Sequence, residues 1–313
     1  MKKICFIGAG NISEALINGL LDSGLVNKKN IIATDIKPER LRYIANKYNI
    51  ITLFDNKKAI CIADIIIIAV KPKDIENVLN EISDSVNIKQ LVISVCAGIT
   101  IKFIHRYLSK YNNLHMHMST PCSSLRPKRI SSVTRVKCIS TYNNSNSVQN
   151  SMVSHKLKKI HIIRVMPNIC VSVKEGMTAI SKGEYATQKD VKIAEEIFSV
   201  VGKTIRVEEK LMNIITACSG SGPAYLFYFA EKFIEGVKKL GLTHNQADIL
   251  VKQTISGASR MLLTENPQIL RKKVTSPGGT TEKAIKYFED NNFNKIIESG
   301  IKQAFLRAQD LTK

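Results

Sequence analysis

The sequence predicts an α/β domain built on a Rossmann-type doubly wound parallel sheet, followed by an all-helical domain. Three observations carry that prediction. Short apolar, strand-like runs alternate with helical stretches over the first hundred residues. A glycine turn, Gly8-Ala9-Gly10, closes the first of those runs and opens the first helical stretch. After Glu208 the strand signals stop and long helical patterns take over.

The strand-like runs are Lys2–Ile7, Ile31–Thr34, Ile65–Val70 and Leu91–Val95, with helical stretches between them, notably Ile12–Leu21 and Pro38–Lys47. Strands this apolar are buried on both faces, which requires helices on both sides of a parallel sheet. From about Tyr111 to Lys156 the pattern breaks into Ser, Asn, Thr, Lys and Arg without periodicity. So long a structureless stretch is unusual inside a compact domain and reads as a disordered insertion, or as sequence foreign to the fold. Order resumes at His161–Val165, and Met177–Ile180, Thr187–Val200 and Thr204–Val207 read as strand, helix and strand. Residues 1–208 are therefore assigned to the first domain and 209–313 to the second.

In the second domain, Leu211–Leu240 is strongly apolar. Thr243 with Gln246 forms a capping box that opens a helix running to about Thr264. A Ser-Pro-Gly-Gly turn at Ser276–Gly279 precedes a helix from Thr280, and a last amphipathic helix covers Phe293 to about Ala308.

Composition narrows the function classes. A chain of 313 residues that is 44% hydrophobic and 23% charged has the make-up of a globular protein with a large core. No apolar run approaches the roughly 20 residues that span a bilayer. The strand pattern begins almost at once, leaving no room for a leader peptide, so a cytoplasmic location is expected. Seven cysteines are scattered without paired spacing. They read as small buried thiols, and no metal site is expected. A net charge of +20 raises nucleic-acid binding as a reading. Yet nine basic residues and no acid lie between Ser109 and Lys159, so nearly half of the excess sits in the one irregular segment. That placement weighs against a nucleic-acid partner.

Several motifs carry chemistry. Ile7-Gly8-Ala9-Gly10-Asn11-Ile12-Ser13 ends a strand and opens a helix: Gly8 permits the tight turn, Gly10 lets a diphosphate approach the backbone, and the helix start offers N–H donors. Ser13 stands at the third glycine position of the fingerprint. Asp35, after the second strand, suits ribose hydroxyls and so NADH; Lys37 and Arg40 nearby suit a 2′-phosphate and so NADPH. Ala69-Val70-Lys71-Pro72 and Cys96-Ala97-Gly98 end strands where ligands of open α/β sheets bind. Ser276-Pro277-Gly278-Gly279-Thr280-Thr281 is a glycine-rich turn into a helix, either a plain N-cap or a nest for a carboxylate. Ser219-Gly220-Ser221-Gly222-Pro223 allows close packing. Glu208 and Glu209 suit a helix start.

Taken together and in order, Gly8–Asn11, Ala69–Pro72, Val95–Gly98, Arg164–Asn168, Val207–Glu209, Ser219–Tyr225 and Ser276–Thr281 resemble the motifs of the pyrroline-5-carboxylate reductases. The resemblance covers the chain except about Tyr111–Lys156. It implies reduction of a cyclic imine to proline by hydride from NADPH or NADH. Implied cofactor contacts are Ile7, Gly8, Gly10, Asn11, Ile12, Asp35, Asn56, Ala69, Val70, Lys71, Pro72, Cys96, Ala97 and Lys273, the last standing where asparagine is frequent in the family. Implied substrate contacts are Ser276, Gly279, Thr280, Thr281 and Glu209, with Thr281 and Glu209 nearest the chemistry. A homodimer through the helical domain, and a larger ring such as a decamer, are also implied. A β-hydroxyacid dehydrogenase or another imine reductase is the nearest rival, but the former needs a lysine base that nothing marks. A binding or scaffold protein on the same fold is the non-enzymatic alternative.

Overall fold

The computed structural model describes residues 2–109 and 157–313. The predicted insertion at about 111–156 lies outside the described residues.

The strands are β1 (Ile4–Ile7), β2 (Ile31–Thr34), β3 (Ile51–Leu53), β4 (Ile65–Ile68), β5 (Leu91–Ser94), β6 (His161–Met166), β7 (Gly176–Lys182) and β8 (Gly202–Arg206). They form one sheet in the order β3-β2-β1-β4-β5-β6-β7-β8. All neighbours run parallel except β6 and β7, which pair antiparallel with Val165 opposite Ile180. The alternation of side chains sorts β1 onto two faces: Ile4 and Phe6 join one core with Leu16, Ile44, Ile67 and Phe198. Cys5 and Ile7 join the other with Ile60, Ile66, Leu79 and Ile104. Each such side chain stabilises the fold by roughly 1.5–3 kcal/mol through burial alone, so a four-residue strand held on both faces is well anchored.

Helices cover both faces: α1 (Asn11–Asp22), α2 (Pro38–Tyr48), α3 (Asn56–Cys61), α4 (Ile75–Ile82), α5 (Ile101–Leu108) and α6 (Gln188–Ser199). Two details depart from the sequence reading. Strand β3 was not anticipated, because it has three residues and a half-exposed pattern at the sheet edge. Ile65–Val70 therefore supplies the fourth strand rather than the third.

The apolar stretch after Leu211 is not one helix. It runs as α7 (Met212–Ile215), a π-helical turn over Thr216–Gly220, and then α8 (Gly222–Lys239), with Pro223 in the first turn of α8. Proline lacks the N–H that a continuous helix would need there, so the ladder restarts. The chain ends in α9 (His244–Met261), α10 (Pro267–Lys273), α11 (Thr280–Asp290) and α12 (Phe293–Asp310). The Thr243–Gln246 capping box forms as expected, but α9 stops three residues short of Thr264.

This helical region lacks a core of its own. Between residues 209 and 313 the buried positions are Met212, Ala217, Pro223, Ala247, Val251 and Ala308, none of them aromatic. Phe227 is 64% exposed and Leu263 73% exposed, with Leu226, Tyr228, Ile249, Leu250 and Tyr287 open beside them. Apolar surface on this scale marks a protein–protein contact. The region is tied back to the sheet domain at both ends. Glu209 accepts from the Ile101 backbone N–H, while Thr100 donates to the Lys313 carbonyl and the Lys313 N–H to the Gly98 carbonyl.

The Lys158 N–H donates to the Ser109 carbonyl at 3.1 Å, so the chain leaves α5 and returns toward β6 through a single backbone hydrogen bond. Loop-closure cost grows only slowly with loop length, and a shorter link suits the same ends. Replacing residues 110–156 by a two-residue glycine linker is expected to leave the unfolding temperature within a few degrees of the full chain. A scanning-calorimetry midpoint lowered by ten degrees or more contradicts this.

Candidate dinucleotide site

The sheet order reverses beside β1: β2 lies on one side and β4 on the other. A crevice opens at the carboxyl ends of the strands at such a point, and ligands of open α/β sheets bind there. Gly8 sits in it with φ +93°, donating to the Thr34 carbonyl at 2.9 Å. A Cβ at this position would stand 2.7 Å from the Ala69 carbonyl oxygen, so only glycine fits between β2 and β4. The buried Ser13 hydroxyl donates to the Gly8 carbonyl, which gives the serine at the third fingerprint position a role in closing the turn.

Gly10 is the N-cap of α1 and no side chain caps that end. A Cβ built on Gly10 meets nothing within 4 Å, and both Gly10 and Asn11 are exposed. An open helix start with free N–H groups and no side chain over it is shaped for an anion. The residues present thus fit the diphosphate of a nicotinamide dinucleotide.

The flanking candidates are held from behind. The Asp35 carboxylate accepts from the Ala9 N–H at 2.9 Å and from the Lys37 N–H at 3.0 Å. Asn56 receives the Thr34 hydroxyl at 2.6 Å and donates to Glu81 at 2.8 Å. The Cys96 thiol contacts the Val70 carbonyl at 3.3 Å, and burial pushes it up to about 11, so it stays protonated and packs rather than reacts. Ala69, Val70 and Ala97 are half-buried at the crevice edge, while Lys71 and Pro72 are exposed.

The remaining candidates lie elsewhere. Glu209 accepts from the Arg164 guanidinium at 3.0 Å and from the Ile101 N–H at 2.7 Å, both on one carboxylate oxygen. Arg164 is 3% exposed, so this pair closes off a buried cation between the sheet and the helical region. Lys273 pairs with Glu265 at 2.7 Å at the end of α10. The Ser276–Thr281 turn has Gly278 at φ +71°, and its hydrogen bonds close within residues 271–283. Ser276 and Thr280 are exposed and Thr281 half-buried. The Ser219–Pro223 stretch packs as read: Gly220 lies against Met166, and Asn168 reaches Ser219 at 3.4 Å. Sequence reasoning missed Glu14, Arg40's true partner, because the pairing spans 26 residues and leaves no local pattern.

The fold and this crevice define the class: a nicotinamide-dependent oxidoreductase with a helical association region. Comparison with known proteins narrows it. Residues 209–311 match a family model described as pyrroline-5-carboxylate reductase dimerisation, and residues 3–98 one described as NADP oxidoreductase coenzyme F420-dependent. Pyrroline-5-carboxylate reductase 2 of Bacillus subtilis is 32% identical over 99% of this chain and 95% of its own length. The Methanosarcina acetivorans pyrroline-5-carboxylate reductase is 33% identical over 100% and 98%. The solved Coxiella burnetii reductase superposes with a TM-score of 0.79 at 31% identity, covering 100% of this chain and 99% of its own. The chain belongs to the pyrroline-5-carboxylate reductases.

Gly8→Ala places a methyl group into the Ala69 carbonyl at a backbone angle that disfavours any side chain, a strain of roughly 1–3 kcal/mol. The expected result is a lower unfolding temperature together with dinucleotide affinity reduced by about tenfold or more. Unchanged affinity by titration calorimetry removes the turn from the site.

Proposed function

We propose that this protein reduces 1-pyrroline-5-carboxylate to L-proline with NADPH or NADH. The observation that carries this is the uncapped start of α1, set where the sheet order reverses, in a chain that matches reductases of this family over nearly its whole length.

When bound, the dinucleotide supplies the hydride. The chain's own groups bind, orient and bias charge. Backbone N–H groups at Gly10–Ile12 hold the diphosphate, Asp35 and Asn56 face the adenosine end, and Ala69–Pro72 with Cys96-Ala97 line the approach to the reacting ring. Ser276, Thr280 and Thr281 offer hydroxyls, with the Gly279 backbone, to the substrate carboxylate. A protonated imine is electrophilic at carbon and needs no strong side-chain acid, so the Glu209 oxygen that Arg164 and Ile101 do not use serves by favouring the cation. The net reaction consumes one hydride and one proton per proline formed.

The turn and the apolar surface of the helical region point to a site shared between two copies. Among the described residues the Ser276–Thr281 turn bonds within its own helix pair, and the broad apolar surface of α8 and α9 requires a second chain to cover it. The helical region, proposed as a domain from residue 209, thus supplies both association and substrate groups. A cytoplasmic enzyme whose dimers join into a larger ring such as a decamer completes the reading; no helix among the described residues is long and apolar enough to cross a membrane.

The deciding assay is oxidation of each nicotinamide cofactor by the purified full chain with pyrroline-5-carboxylate. Turnover with neither cofactor overturns the assignment. For the shared site, Gly8→Ala and Thr281→Ala chains are assayed alone and after co-refolding. At low cofactor concentration mixed dimers should turn over faster than either parent, since one of their two sites would be intact. No recovery places the turn and the crevice in one chain. Glu209→Gln is expected to lower kcat by about tenfold, or ~1.4 kcal/mol, with cofactor affinity unchanged. Because it also strips buried Arg164 of its partner, a loss of roughly 3–5 kcal/mol, thermal unfolding is followed in parallel.

A further inference from the structure

The charged groups behind the glycine turn are arranged unevenly. Glu14, in the first turn of α1, gathers four donors from α2: the Arg40 guanidinium, the Lys47 ammonium at 2.9 Å, the Tyr43 hydroxyl at 3.0 Å and the Tyr48 hydroxyl at 3.2 Å. Arg40 is further fixed by a hydrogen bond from Nε to the Ala9 carbonyl and lies over the Tyr43 ring, 5.0 Å from its centre. Burial pushes the Glu14 carboxyl up, but the hydrogen bonds from Lys47, Arg40 and Tyr43 outweigh it and hold the group down at about 2. The carboxylate is therefore charged throughout the working range.

On the other side of Ala9, Asp35 accepts from the Ala9 and Lys37 N–H groups. A carboxylate has about four acceptor positions, so lone pairs remain for ribose hydroxyls. A phosphate brought to the same place meets like charge, and the well-placed cation beside it is already committed.

We propose that Glu14 is a specificity-determining residue of this reductase: by holding Arg40 on the glycine turn it withholds the cation a 2′-phosphate needs, so that Asp35 faces a free ribose and NADH is preferred over NADPH. The proposal rests on the dinucleotide site described above and deepens it. A 2′-phosphate that draws the Arg40 guanidinium off the turn costs an ion pair and a backbone hydrogen bond, both partly shielded from water, and the Nη1 group that neither bond uses stays where Glu14 and Ala9 hold it. Lys37 is exposed, and a solvated lysine contributes little.

The test measures dissociation constants of NADH and NADPH for the full chain by titration calorimetry, without imine substrate. The unsubstituted protein is expected to bind NADH about tenfold or more tightly than NADPH. Glu14→Gln should narrow that ratio about threefold or more by strengthening NADPH binding, and adding Arg40→Met should restore it. Arg40→Met alone should leave the ratio unchanged, which keeps the idea testable where Glu14→Gln unfolds. Equal or tighter NADPH binding by the unsubstituted protein overturns the proposal. So does an unchanged ratio in a folded Glu14→Gln protein, or a loss of NADPH affinity alone in Arg40→Met. Absence of binding by either dinucleotide sinks the site itself, whereas binding without imine turnover sinks only the substrate assignment.

Discussion

Everything at the crevice depends on the close approach of one peptide to another: the Gly8 backbone against the Ala69 carbonyl. That contact exists because β1 runs between β2 and β4 in register, with Ile4 opposite both Ile31 and Ile65. Core burial on both faces fixes the register, and the register fixes where the turn emerges. From there the turn is gripped by Thr34, Asp35, Ser13 and Arg40, each through a backbone atom of Gly8 or Ala9. A diphosphate site made of backbone tolerates no movement of its support, and here four side-chain or main-chain partners supply that support.

The two halves of the chain solve the burial problem differently. The sheet domain encloses its apolar residues within itself, with buried isoleucines in β1, β2, β4, β5, β6 and β7. The helical region instead leaves phenylalanines and leucines outside, and its few buried residues include three alanines and no aromatic ring. Such a region gains its stability from association, and its apolar content is interface rather than core.

Much of this was legible in the sequence. The glycine turn, Asp35 and the Ser276–Thr281 turn are local patterns, and the helix caps at Thr187 and Thr243 form as their spacing dictates. Other features depend on partners distant in the chain. Glu14 looks like an ordinary first-turn acid until α2 packs on α1 and presents two cations and two phenols. Glu209 reads as a charge at a helix start, yet its carboxylate is taken by Arg164 of β6. The antiparallel β7 had a signal that went unused: residues 167–175 are too few for the crossover of a dozen or more that a parallel return needs.

Several of the hydrogen bonds that tie the helical region to the sheet domain land on one short stretch, Gly98 and Thr100 for Lys313 and Ile101 for Glu209, beside those from Arg164 to Glu209 and from Asn168 to Ser219. Strain arriving from a second chain is felt in part at residues 98–101, whose next neighbours are Ala97 and Cys96 at the rim of the crevice. Association and the shape of the nucleotide pocket thus share one short stretch of chain.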